Sequence, residues 1–190
     1  MAVDSERIQA AVAELLAAIG EDPGRPGLVN TPARVAEAYA EFFAGVGADP
    51  VSALGGSVPA GEQTGELVLM RGIDFRSICE HHLLPFTGIA HVAYVPDERL
   101  AGLGRLPRVV DSLASRPQLQ ERLTDQIADA LEAGLAPQGI LVVLDAQHDC
   151  VSTRGPRVLR STTVTVASRG MLATPEARAE AMALISVGGA

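Results

Sequence analysis

Hydrophobic positions along the chain change period several times, and each change marks an element. Ile8, Val12, Leu15, Leu16 and Ile19 recur at helical spacing behind Ser5, a capping residue type, and Gly20 supplies the stop. Asp22-Pro23-Gly24 and Pro26-Gly27 break the pattern with turn chemistry. Thr31-Pro32 then offers an N-cap followed by a proline at the first helical position, which predicts a second helix to about Phe43. Gly, Pro and Ser accumulate between Gly45 and Gly65. The chain is accordingly divided into a helical segment at 1–50, a linker at 51–65 and a main domain at 66–190.

Within the main domain the pattern turns strand-like at 66–71 and again, longer and richer in β-formers, at 86–95, closing on Pro96-Asp97-Glu98-Arg99. Two helices follow, one over about 106–115 and one after Pro117, where Leu119, Leu123, Ile127 and Leu131 keep helical spacing to about Leu135. Ala136-Pro137-Gln138-Gly139 ends that run. Strands return at 140–147 and 161–168, and a short helix starts near Pro175. A strand pair, a helix pair and a second strand pair, with helices before and after, make an α+β arrangement. No internal repeat is visible.

Composition narrows the function. The length of 190 residues suits one domain with an appended helical segment, and 47% hydrophobic residues suffice for a real core. No apolar run approaches the roughly 18 residues needed to cross a bilayer. The start Met1-Ala2-Val3-Asp4-Ser5-Glu6-Arg7 lacks the basic and apolar regions of a secretory signal, so the expectation is a soluble, cytoplasmic protein without a membrane partner. A net charge of −8 argues against nucleic acid, whose phosphates demand a basic surface. All 15 basic residues are Arg, so no arginine is singled out merely for not being lysine.

Candidate chemistry sits in two short clusters, Cys79-Glu80-His81-His82 and His148-Asp149-Cys150. They hold both cysteines and three of the four histidines; the fourth, His91, lies within a strand pattern and reads as an ordinary strand residue. A reducing compartment disfavours a disulfide, whereas thiolate and imidazole are the preferred ligands of zinc. Cys79 and His82 can reach one ion from a turn, and Cys150 must arrive from a distant segment. His148 and Cys150, two apart on an extended strand, would point the same way. Three protein ligands with a water in the fourth position make a catalytic site. A fourth side chain, His81 or His148, would make a closed structural one, and spacing alone leaves both open. If three groups bind the ion, the two remaining histidines suit proton transfer near neutral pH.

At these residues the sequence resembles the GTP cyclohydrolase I family. The resemblance covers most of the chain and is carried by Asn30-Thr31-Pro32-Ala33-Arg34-Val35, Ser77-Ile78-Cys79-Glu80-His81-His82-Leu83-Leu84-Pro85-Phe86, Arg116-Pro117-Gln118-Leu119-Gln120-Glu121-Arg122-Leu123 and Asp145-Ala146-Gln147-His148-Asp149-Cys150 through Arg154-Gly155. It implies a tunnelling fold, antiparallel strands with a pair of helices in the order ββααββ. It implies Zn2+ on Cys79, His82 and Cys150, with His81 and His148 as the catalytic proton carriers. Water activated at the metal attacks C8 of GTP, formate leaves, and the opened ribose rearranges to 7,8-dihydroneopterin triphosphate. Substrate contacts implied in the same way are Glu121 at the guanine, Arg108 and Arg154 at the triphosphate, and Gln120, Arg105 and His82 elsewhere on the substrate. Without the resemblance, Gln120-Glu121-Arg122 would read as a solvated helix face. Family members assemble as decamers of two stacked pentamers, which implies a homo-oligomer here.

One departure has chemical content. The family's Gly-Leu-Ser-Lys becomes Gly102-Leu103-Gly104-Arg105, which keeps the charge and removes a hydroxyl expected near the ribose and phosphates. Either substrate binding weakens while the full reaction survives, or the ring opens and the later rearrangement stalls at a formamidopyrimidine or related intermediate. Other classes are a nucleobase deaminase, whose H-x-E and P-C-x-x-C pair is missing, an enzyme with Cys79 as covalent nucleophile, and a non-catalytic zinc-stabilised nucleotide-binding protein.

Overall fold

The computed structural model describes residues 3–61 and 64–186. Its elements in chain order are helices α1 (Ser5–Ala18) and α2 (Thr31–Phe42), then strands β1 (Val58–Pro59), β2 (Val68–Cys79), β3 (Pro85–Val95) and β4 (Arg99–Leu100). Helix α3 (Arg105–Ala114), strand β5 (Pro117–Gln118), helix α4 (Gln120–Leu135), strand β6 (Gly139–His148), the single turn α5 (Asp149–Ser152), strand β7 (Thr163–Gly170) and helix α6 (Pro175–Ser186) complete it. The main sheet has the order β5-β2-β3-β6-β7. Its long strands pair antiparallel, and the two residues of β5 join β2 in parallel. The result is a mixed α+β structure.

Several boundaries differ from the sequence expectation for identifiable reasons. Asp4, one residue before Ser5, caps α1 by accepting from the Arg7 amide. Asn30 precedes α2, so Thr31 is already helical and Pro32 lies in the first turn. Strand β2 continues past Arg71 to Cys79. Its pairing with β3 shifts between Met70 and Ile73, where Gly72 takes φ +72°, and this bulge interrupts the alternation that marks a strand. Of the expected segments, Met1 and Ala2, the linker residues Glu62 and Gln63, and residues 187–190 of the main domain lie outside the described residues.

The core lies on both faces of the sheet. Ala90, Val92 and Tyr94 of β3 and Ile140, Val142 and Leu144 of β6 share a buried cluster with Leu106, Val109 and Leu113 of α3 and Leu123, Ile127 and Leu131 of α4. The alternate positions Ala93, Val95, Leu141 and Val143 pack with Leu172 and with Ala181 of α6. Burial on both faces explains why residues 140–144 read as an unbroken apolar run. The segment before β2 is anchored as well. Leu54 is buried in the core, and a side chain at Gly134 of α4 would put its Cβ 2.2 Å from Leu54 Cδ1. The α1–α2 hairpin meets the sheet through Arg76 of β2, which pairs with Glu41 and lies over the Phe42 ring. No helix among the described residues is long and apolar enough to cross a membrane.

His91 sits on β3 opposite Val143, with its Nδ1 buried and without a hydrogen-bond partner among the described residues. Burial, then the charge of Arg71, pushes its pKa below the ordinary histidine value, against an upward pull from Asp145. Between the depressed folded value and the unfolded value of about 6.5, the unfolded chain binds more protons. The stability of the neutral ring is therefore fully present above that unfolded value and is lost as pH falls through the folded one. His91→Val, matching its neighbour across the strands, is expected to lose less melting temperature than the parent protein between about pH 7 and about pH 5. Identical acid sensitivity in the two proteins would show that His91 is not the group responsible.

Candidate metal and catalytic site

The site forms where β2, β3 and β6 end or begin together. After Cys79 the chain reverses within residues 80–84: the Cys79 amide donates to Leu84 O at 2.8 Å and the Leu83 amide to Cys79 O at 2.9 Å. Leu83 adopts φ 51°, the left-handed conformation that so tight a return requires. The turn is held from outside by Glu80. Its amide donates to Gln118 O at 3.0 Å, and its carboxylate accepts two bonds from Arg122 of α4, at 2.5 and 3.1 Å. The Arg122 guanidinium keeps the Glu80 carboxyl below its ordinary value.

On the neighbouring strand His148 lies directly opposite Phe86. The expectation that His148 and Cys150 share one extended strand is not met. Strand β6 ends at His148, and Asp149 starts the helical turn α5, its carbonyl accepting from the Thr153 amide at 3.0 Å. Cys150 reaches the site from that turn. The ligand atoms of Cys79, His82 and Cys150 all lie within 4.8 Å of one another. Cys79 is buried, Cys150 half-buried and His82 exposed, so the group runs from the core to the solvent. Burial, then the neighbouring Cys79, pushes the Cys150 thiol up from its ordinary value. Two adjacent would-be thiolates with an imidazole form a donor set that a soft cation would satisfy. Among the described residues the group has three members, and neither His81 nor His148 belongs to it.

His148 is occupied otherwise. Its Nε2 lies 2.7 Å from Gln120 Oε1, and its ring stacks on Phe86 with centroids 4.7 Å apart and planes 7° from parallel. Burial lowers its pKa from the ordinary value, and the charge of Glu121 opposes the shift. His81 is exposed, with its ring nearly perpendicular to that of His82 at 6.2 Å. Glu121 is exposed in the first turn of α4, and Arg154 is exposed, its charge drawing the Cys150 thiol slightly down.

Arg105 and Arg108 stand apart from this group. They open α3, whose far end approaches the site where Ser77 Oγ donates to Ala114 O at 2.7 Å. The guanidinium of Arg105 lies against Gly55. Sequence reading gave no role to the Phe86 stack, the Glu80–Arg122 pair or the threonines Thr124, Thr163 and Thr165 around Gln120. Phe86 and Glu80 lie within the quoted motif, whereas nothing in the sequence marks the threonines.

The family described as GTP cyclohydrolase I matches residues 8–186. GTP cyclohydrolase 1 of Leifsonia xyli subsp. xyli is 63% identical over 187 residues, covering 98% of each chain. GTP cyclohydrolase 1 of Carboxydothermus hydrogenoformans is 54% identical over 185 residues, 96% of this chain and 95% of that protein. The corresponding protein of Mycobacterium tuberculosis is 53% identical over 185 residues, 96% of this chain and 91% of its own.

Proposed function

The chain belongs to the GTP cyclohydrolase I family of enzymes, and from that premise we propose a zinc-dependent opening of the GTP imidazole ring at C8. The products are formate and 7,8-dihydroneopterin triphosphate. The observation that carries the reading is the three-donor group Cys79, His82 and Cys150, partly open to solvent, with His148 two residues from one of its thiols. Three donors and not four among the described residues favour an open coordination position over a closed structural site.

Cys79, His82 and Cys150 would hold a zinc ion, which would supply the Lewis acidity that makes water nucleophilic near neutral pH. The protein's own residues do the rest. His148, held against Gln120 and Phe86, gives a proton to the purine nitrogen as the ring opens. The exposed His81 exchanges protons with solvent. Glu121, at the start of α4, accepts from N1–H and the exocyclic amine of guanine together, a pair adenine cannot offer. Arg154 binds the triphosphate, a task suited to a bidentate guanidinium.

Arg105 and Arg108 lie in the opening turn of α3, away from its Ala114 end; nine residue steps separate Arg105 from Ala114 and six separate Arg108, about 14 Å and about 9 Å. That separation supports supply of these two arginines by a neighbouring copy, as in the decamer of two pentamers that the family implies. The succession of the long elements β2, β3, α3, α4, β6 and β7 supports a tunnelling fold for this mixed α+β chain, which we propose acts as a cytoplasmic enzyme.

Gly104 favours a second reading, in which the reaction stalls after ring opening. It takes φ −67° and ψ −2°, and an added Cβ would meet nothing within 4 Å, so serine fits there without strain. With zinc-loaded protein and GTP, formate and neopterin fluorescence are expected to rise in equal amounts, and Gly104→Ser to leave that ratio unchanged. Formate without fluorescence in the parent protein, corrected by Gly104→Ser, would establish the stalled reaction instead. Absence of both products would remove the activity.

A further inference from the structure

We infer that Gln120 is a positioning residue for His148, fixing its Nε2–H tautomer so that the ring exchanges its catalytic proton through Nδ1. The inference rests on the reading of His148 as proton donor to GTP, and it gives Gln120 a role other than the substrate contact that the resemblance implies.

Gln120 is the first residue of α4 and is 1% exposed, although Glu121 and Arg122 beside it face solvent. Its side-chain nitrogen lies 3.1 Å from Leu144 O, 2.7 Å from Thr163 O and 3.1 Å from Thr165 Oγ1. Two of these are carbonyl oxygens, which only accept. Turning the amide over would set its oxygen against both, so the orientation is fixed by its surroundings. The threonines agree with it. Thr124 Oγ1 donates to Gln120 O at 2.7 Å, which makes Thr165 the donor in the 2.6 Å contact between the two hydroxyls. Thr165 Oγ1 is then left to accept from the Gln120 amide.

The remaining atom, Gln120 Oε1, faces His148 Nε2 at 2.7 Å. An amide oxygen cannot donate, so Nε2 must carry the hydrogen. In the neutral ring Nδ1 is therefore bare, and the Phe86 stack sets the ring plane. When the ring is doubly protonated, the Nε2 hydrogen stays with Gln120. The proton passed on leaves from Nδ1: the Nδ1–H bond breaks, its electron pair remains on Nδ1, and a new N–H bond forms on the purine. A side chain that orients a catalytic imidazole and selects its tautomer acts through that ring and needs no contact with substrate.

Solid-state 15N spectra of zinc-loaded protein labelled at histidine, assigned with His148→Ala, read the tautomer directly at about pH 8, where a histidine of ordinary pKa is neutral. A protonated Nε2 and bare Nδ1 on His148 are expected; the opposite tautomer in the parent protein overturns the inference. Gln120→Met removes the acceptor at similar volume. It is expected to mix the tautomers and to lower kcat about tenfold or more with KM for GTP changed less than about twofold. A raised KM with unchanged kcat would make Gln120 a substrate contact and overturn the inference. Gln120→Glu guards against a folding defect, because its protonated acid can donate to Leu144 O while its other oxygen accepts from His148. It is expected to keep the parent tautomer and a kcat within about fivefold; a variant that melts like the parent but has lost the tautomer bias would count against the assignment. Lack of GTP turnover in the parent would sink the proposed function, whereas the tautomer would still report on Gln120.

Discussion

On the proposed function, replacing Cys79 by alanine is expected to empty the site of metal and to lower GTP turnover by about a thousandfold or more, since the bound ion would generate the nucleophile at neutral pH. Cys79 is the most buried of the three donors, at 5% exposure, and stands at the end of β2 where the 80–84 turn begins. Without it, only His82 on the exposed side and Cys150 on α5 would remain of the candidate donors, too few to hold an ion tightly. Metal content per chain and formate release measure the two effects separately. Alanine fits the same small buried volume, so far-UV circular dichroism should be unchanged, while melting should fall by whatever the bound metal contributes. Retained metal with lost turnover would instead favour Cys79 as a covalent nucleophile. Retained metal and turnover together would dismiss the trio.

The main features of the fold are written in the sequence wherever burial has a single period. Helix α4 reads from Leu123, Ile127 and Leu131, which all face the sheet, and β6 reads from an apolar run buried on both sides. The candidate donor clusters are legible for a different reason: both cysteines and three histidines fall in two short segments, and a metal site would account for that concentration. What escaped depends on contacts between distant segments. The second half of β2 is hidden by the bulge at Gly72, because a shifted register moves side chains to the other face. Helical turn α5 follows a strand ending in His148 without any break in residue type.

Gln120 is the sharpest case. Flanked by exposed Glu121 and Arg122, it reads as part of a solvated face. It is buried only because β6 and β7 bring Leu144 O and Thr163 O, 24 and 43 residues away, onto its amide. The direction of α3 is equally invisible. Arg105 and Arg108 carry the charge that a triphosphate needs, yet one chain alone sets them at the end of the helix away from the metal group.

The contrast between metal ligand and proton carrier is tested most cleanly at His148. His148→Ala is expected to lower kcat by about a hundredfold to ten-thousandfold, the usual contribution of a positioned general acid, while the protein still binds zinc. Nothing in the Cys79, His82 and Cys150 group requires the His148 ring, whose Nε2 is engaged by Gln120. The substitution also has a structural cost. It uncovers the Phe86 face and leaves Gln120 Oε1 without its donor, worth about 1–3 kcal/mol if no water replaces it. Turnover must therefore be measured well below the variant's own melting temperature, with zinc content determined on the same sample. Zinc retained and kcat lost assigns His148 to the chemistry. Zinc and folding lost together would make His148 a fourth ligand of a closed site, and an ion so enclosed would have no position at which to activate water.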